Sequence, residues 1–202
     1  MNSIVIDWLV LNWVEILGAA LGVGYVLLSV KQNILTWALG LATSLLYIYV
    51  FYESKFYADM SLQFYYVWIS IYGWIIWAKG KQTSHGREKL PVTKISSKLA
   101  LNLLIISGVL WLGIFFVLKN FTDSPVPFGD AFTTAFSIVA TWMLARKIIE
   151  HWLIWIVVDV VSIGLYIYKG LFPTTVLFIV YTLVAIWGYR EWQKDMLNEK
   201  TS

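Results

Sequence analysis

Trp152, Trp155, Asp159 and Tyr166 stand at i, i+3, i+7 and i+14 in an otherwise apolar run. At about 100° per residue these four share one face of a helix. A carboxyl in such a helix is costly to bury, so it is expected to face a protein interior or a wet cavity. The helical rise places Asp159 about 10 Å inside the end of the run. Two indoles and an acid on one stripe suit a flat, electron-poor or cationic ring. The indole faces supply stacking and cation–π attraction of about 0.5–2 kcal/mol each. The carboxylate accepts from hydroxyls or offsets positive charge. The plainer alternative puts Trp152 in the interfacial aromatic belt and pairs Asp159 with a Ser, Thr or Tyr of a neighbouring helix.

A second stripe holds Gln63, Tyr66, Ser70, Gly73 and Trp77. Gln63 carries both donors and acceptors and can read the edge of a carboxamide or nucleobase; its alternative role is an interhelical hydrogen bond. Asn33 and Trp37 open an earlier apolar segment. Trp37 is expected to wall a pocket, and Asn33 either contributes to that pocket or caps its helix. Glu15 is a further acid in an apolar run, read as a proton or cation site or as a structural partner for a Tyr or Trp. Gly18 and Gly22 form a GxxxG, and Gly73 and Gly188 are expected at close-packing points or hinges.

These residues need elements to hold them. The chain has 202 residues, 59% hydrophobic and only 13% charged. An ordinary soluble domain is nearer one quarter charged. Seven apolar segments, near 12–30, 34–53, 58–78, 99–118, 131–146, 152–169 and 172–190, are each read as a membrane span. The fifth is the shortest and most polar. The backbone has no hydrogen-bond partner in lipid, so the spans are expected to be helices. The protein is therefore read as an all-α membrane protein. Twelve Lys and Arg fall on the side of the basic loop Lys79–Lys98 and three on the other. This places the N-terminus outside and the C-terminus inside. No basic n-region precedes the first span, so no cleaved signal is expected.

Cysteine is absent and only His85 and His151 could offer imidazole, so neither metal nor cofactor is expected. The basic residues sit at the ends of apolar segments, not along one face, which argues against nucleic acid. Walker A, G-x-S-x-G and H-E-x-x-H motifs are absent. A membrane enzyme would have to rest on the adjacent Glu150 and His151, which point apart on a helix, so no enzyme is expected.

A weak repeat runs through the chain. Trp37 and Ser44 match Trp155 and Ser162 at a spacing of 118, whereas Tyr66, Gly73 and Trp77 match Tyr181, Gly188 and Trp192 at 115. This implies a turn three residues shorter in the second half. Three helices plus a spacer would then repeat in parallel orientation, with a substrate site expected where the two bundles meet. The corresponding parts are residues 1–80, a basic loop and linker helix over 81–120, and 121–202.

Trp152-x-x-Trp155-x-x-x-Asp159 resembles the WxxW motif of the PnuC family of vitamin transporters. Asn33-Ile-Leu-Thr-Trp37-Ala-Leu-Gly40, Phe56-Tyr57-Ala58-Asp59 and Tyr72-Gly73-Trp74-Ile75-Ile76-Trp77 are similar to it as well. The resemblance runs from about Glu15 to Trp192. It implies two three-helix bundles joined by a fourth helix, similar to the SWEET sugar transporters, and a homotrimer in a bacterial inner membrane. It also implies facilitated diffusion of nicotinamide riboside, with a cytoplasmic kinase trapping the substrate. Thiamine and riboflavin are the alternative cargoes among relatives. Trp152 and Trp155 would be the family's tryptophan pair, with Asp159, Gln63, Asn33, Trp37 and Tyr66 lining or neighbouring the pocket. The rival from another class is a substrate-binding subunit that moves its ligand only with a partner.

Overall fold

The computed structural model describes residues 13–53, 57–83 and 86–201, and the Glu15 side chain lies outside the described part. Among these residues seven helices occur: α1 (Trp13–Val30), α2 (Leu35–Glu53), α3 (Tyr57–Lys79), α4 (Ser97–Phe121), α5 (Pro127–Ala145), α6 (His151–Tyr168) and α7 (Phe172–Thr201). Among the described residues four segments are long and apolar enough to cross a membrane: Ser97–Phe121, Pro127–Ala145, His151–Tyr168 and Phe172–Asn198. Leu17–Val30 and Leu35–Tyr49 are shorter apolar stretches.

Three features depart from the sequence expectation. The fifth helix starts earlier, at Pro127, because proline is tolerated at a helix's first position and Asp130 favours the positive end of the dipole. The last helix continues past residue 190 to Thr201, since its polar end still satisfies its own backbone. The basic loop contains a small antiparallel hairpin, β1 (Lys81–Thr83) with β2 (Gly86–Glu88).

The chain divides into two compact units at Trp74/Ile75, inside α3. In the first unit α1 packs on α2. Their turn is closed by Ser29 Oγ and Thr36 Oγ1, 2.7 Å apart, both within hydrogen-bonding distance of the Tyr25 carbonyl (2.8 and 2.9 Å). In the second unit α4 lies against α5, α5 against α6, and α6 against α7. Trp111 Nε1 donates to the Phe128 carbonyl at 3.1 Å. Leu103, Val139, Met143 and Ile148 form a core cluster. Elsewhere α4 presents Leu101, Leu104, Ile105, Val109, Leu112 and Phe116 outward, as a helix in hydrocarbon is expected to do.

Two helix ends have the same unusual geometry. After α1, Gln32 N–H donates to Ser29 O (3.0 Å) and Asn33 N–H to Leu28 O (2.9 Å). After α5, Lys147 N–H donates to Leu144 O (2.9 Å) and Ile148 N–H to Met143 O (3.0 Å). These are Schellman caps, which need a left-handed residue and usually take glycine. Here Gln32 and Lys147 fill the position, at φ 50° and 51°. The cap after α6 takes the ordinary glycine, Gly170 at φ 71°. Gln32 and Lys147 are 115 apart, and each main-chain hydrogen bond of the α1–α2 turn has its counterpart at that spacing in the α5–α6 turn.

This corrects the spacing of the repeat. No residues are lost between the halves, and Trp37 corresponds to Trp152, not Trp155. The packing agrees. A side chain at Gly73 would run into the Trp37 ring, and one at Gly188 would meet Trp152 Cζ2 at 2.6 Å. In that register Gly40 matches Trp155, Ser44 matches Asp159, and Tyr25 matches Ala140.

The start of α5 is tied to the end of α6. Lys169 Nζ donates to both Asp130 oxygens at 2.8 and 3.0 Å, and Ser124 Oγ donates to Asp130 Oδ2 at 2.7 Å. Both charged side chains are mostly buried. Lys169→Met would leave the carboxylate with one donor and is expected to cost about 2 kcal/mol, read as a fall of roughly 4–8 °C in Tm of the purified protein. Lys194→Met, removing an exposed pair with Glu191, should leave Tm where it is. Equal behaviour of the two variants would refute the assignment.

Candidate functional site

Within α6 the stripe resolves into two environments. Trp152 is 2% exposed. Its ring lies over Gly188 of α7, against His151 (4.5 Å between centroids) and edge-on to Trp192 (5.8 Å). Trp155, a turn further along, is half-buried. Asp159 is 4% exposed, and among the described residues it has neither a hydrogen bond nor an ion pair. The interhelical partner that would make it a purely structural group is thus not found there. Trp155 and Asp159, at i and i+4, share a face. Together they offer a π surface and an unpaired carboxyl.

The turn that launches α6 is held from outside. Thr93 N–H donates to Lys147 O (3.0 Å), Ile149 N–H to Thr93 O (2.9 Å), and Ile95 N–H to the Glu150 carboxylate (2.9 Å). The segment before α4 is therefore strapped across the α5–α6 turn as a short parallel bridge. Trp77 Nε1 donates to Ala145 O at 3.2 Å, and Lys147 Nζ sits 4.7 Å from the Trp77 ring centroid. Trp77 in turn approaches Trp192 at 6.5 Å. His151 Nδ1 lies 2.8 Å from Ile148 O. A carbonyl only accepts, so Nδ1 carries a proton, and the ring is fixed within this aromatic packing.

In the first unit Trp37 is fully buried beneath Gly73. Asn33 is exposed in the α1–α2 turn, where its Oδ1 accepts from Leu35 N–H at 2.9 Å. That is the capping alternative for Asn33. Gln63 and Tyr66 are half-buried on α3, and Tyr66 meets Tyr65 edge-on at 5.4 Å. Ser70, below them, is buried. The structure thus brings Trp155 close to Asp159 on one helix and Gln63 close to Tyr66 on another. It sets Trp37 and Trp152 into equivalent tryptophan-on-glycine packing.

Residues to which the sequence reading gave no part in this packing are Tyr25, Tyr65, Lys147 and Trp192, and His151 had been weighed only as a metal ligand or an enzyme base. Trp192 had been matched to Trp77 without a role. Lys147 and Tyr25 could have been found by aligning the halves at a constant 115. The signal was masked because Trp155 lies three residues after Trp152 and made an equally good match to Trp37.

Comparison with known proteins places this arrangement in context. A family model described as nicotinamide mononucleotide transporter matches residues 12–194. The chain is similar to the nicotinamide riboside transporter PnuC of Escherichia coli (strain K12), 27% identical over 207 residues, covering 90% of this chain and 85% of that protein. It is also similar to the riboflavin/roseoflavin transporter RibM of Streptomyces davaonensis, 24% identical over 182 residues, covering 89% and 84%. Among solved structures, the crystal structure of the vitamin B3 transporter PnuC superposes with a TM-score of 0.75 at 24% identity, covering 97% of this chain and 87% of that one. That likeness is one of fold.

Proposed function

We propose, from the premise that the chain belongs to the nicotinamide mononucleotide transporter family, that it carries nicotinamide riboside across the membrane. The observation that carries the reading is the buried, unpaired Asp159 carboxyl one turn along α6 from the half-buried Trp155. A pyridinium ring is flat, cationic and electron-poor. An indole face attracts it by stacking and cation–π interaction, and a carboxylate in a poorly hydrated setting offsets its charge. In the first unit, Gln63 and Tyr66 offer half-buried amide and phenol groups of the kind that bind polar ligand atoms. Trp152 and Trp37 act one step back, by fixing helix positions through their glycine contacts.

The same reading extends to facilitated diffusion, seven spans in a 3+1+3 arrangement similar to the SWEET transporters, and a homotrimer in a bacterial inner membrane. The N-terminus is outside, in keeping with the twelve-to-three distribution of basic residues. A cytoplasmic kinase would trap the cargo. Riboflavin is a second cargo to weigh, because one similar protein is a riboflavin/roseoflavin transporter. Thiamine, another cationic heteroaromatic, is a third.

Titration calorimetry on the purified protein with nicotinamide riboside, thiamine and riboflavin side by side tests the reading. Nicotinamide riboside should bind most tightly, and Trp155→Ala should weaken it about tenfold or more. Preference for riboflavin or thiamine would reassign the cargo. Binding of none by folded protein would remove the proposal.

A further inference from the structure

The segment joining α3 to α4, with the helix ends on either side, carries an excess of positive charge. Lys79, Lys81, Lys89, Lys94 and Lys98 are all exposed. Among the described residues none of the five has an ion-pair partner. Two acids lie close in the fold. Glu88 stands opposite Lys81 in the hairpin register, and the Glu150 carboxylate accepts from Ile95 N–H.

The segment is fixed at several points. Gly80 lies so close to the Glu88 carbonyl that a Cβ would not fit between them. This closes the base of the hairpin and brings Lys79 and Lys81 beside Lys89. Further on, Thr93 is bonded to the α5–α6 turn, and Ser96 caps α4 by accepting from Leu99 N–H. Lys94 and Lys98 flank that cap. Ile95 and Leu99 pack with Trp142 of α5 on one core cluster, and the Arg146 guanidinium sits 5.6 Å from the Trp142 ring centroid. Arg146 therefore adds a further positive group at the same end of the α4–α5 pair.

Lys98 also stands at the head of a lipid-facing stripe. Ile105, Val109 and Phe116 are exposed and fall within about 20° of Lys98 around α4. The face that α4 turns to hydrocarbon thus ends in an ammonium group. A lysine in the first turn works against the helix dipole, and no acid accompanies it there. Its charge does not serve the helix. From the end of such a stripe a lysine extends its head to the level of the lipid phosphates.

From this placement we infer that Lys94, Lys98 and Arg146, together with the hairpin lysines Lys79, Lys81 and Lys89, form a docking surface for the headgroups of anionic phospholipids. Basic residues clustered beside a span attract an acidic leaflet, each by a factor of about five. The surface stands whatever the cargo, since it requires only that the chain lie in a membrane.

Native mass spectrometry of the purified full chain reads the binding of dioleoyl phosphatidylglycerol, with dioleoyl phosphatidylcholine as the neutral match. Phosphatidylglycerol should bind wild type about tenfold or more tightly than phosphatidylcholine. Lys94→Gln combined with Lys98→Gln should weaken phosphatidylglycerol about 25-fold and leave phosphatidylcholine unchanged, with Tm no lower than wild type. Lys119→Gln combined with Lys194→Gln removes the same charge from exposed positions elsewhere and should change phosphatidylglycerol binding little. Inorganic phosphate, added as competitor, should not displace the lipid. Equal binding of the two lipids by wild type overturns the inference without recourse to any variant. Equal losses in the two double variants would reduce the effect to net charge and overturn the assignment to this surface. Displacement by inorganic phosphate would overturn it in favour of a site for the free ion.

Discussion

Asp159→Asn is expected to weaken nicotinamide riboside binding by about 10- to 100-fold while raising Tm or leaving it unchanged. The two signs are the point of the variant. A charge-assisted hydrogen bond or ion contact is worth about 1.5–3 kcal/mol, and each 1.4 kcal/mol is tenfold in affinity. A carboxyl that is buried and unpaired within its own fold, as Asp159 is among the described residues, costs desolvation energy in the empty protein. Asparagine keeps its shape and removes that cost. A carboxyl with a structural role would behave in the opposite way, losing stability on substitution. Calorimetry and thermal unfolding on one preparation read both quantities. Lower Tm with unchanged affinity would sink the ligand role. If transport also kept its rate and pH dependence, Asp159 could be neither counter-charge nor coupling site.

Gly188→Ala is expected to destabilise the protein by about 2 kcal/mol, a fall of roughly 4–8 °C in Tm, and Gly73→Ala to behave alike. The added methyl at 188 would stand 2.6 Å from Trp152 Cζ2, and that at 73 would overlap the Trp37 ring. Both indoles are rigid and almost fully buried, so neither can yield without moving its helix. Gly108 and Gly113 on α4 provide the contrast, because a Cβ at either meets nothing within 4 Å. Alanine at those positions should be neutral or slightly stabilising, by about 0.5–1 kcal/mol. Trp152→Phe should restore much of the loss caused by Gly188→Ala, since a single ring leaves room for the methyl. If all four alanines proved equally harmless, the tryptophan-on-glycine contact would not be holding α6 to α7.

Much of this could be read from sequence. Apolar runs of about twenty residues located the helices, most of them to within a few positions although the last runs on to Thr201, because hydrocarbon leaves the backbone no other way to satisfy itself. The i, i+3, i+7 spacing put Trp152, Trp155 and Asp159 on one stripe, and helical geometry alone settles that. The family followed from motifs spread over nearly the whole chain. The fifth helix was set too short because its first turn, Pro127–Asp130, is polar in composition while being favourable as a helix start.

What sequence left undecided is which neighbour each side chain meets. A stripe shows which residues share a face and is silent about the helix opposite. Trp152 and Trp155 look interchangeable in a periodic pattern. Only the packing distinguishes them, because Gly188 lets one indole sink into the α6–α7 contact while the other stays half-buried. The repeat's register was ambiguous for the same reason. With aromatics at 17% of the chain, side-chain matching admits two spacings, and the choice fell to the main chain. Two left-handed caps, at Gln32 and Lys147, carry the same hydrogen bonds 115 residues apart. The sequence by itself determined the solvent, the helices and the chemical types on offer. The tertiary structure decided which of those groups are consumed in holding helices together and which, like Asp159, still have a valence to offer a ligand. Consumption depends on distance between helices, and composition and periodicity do not encode that distance.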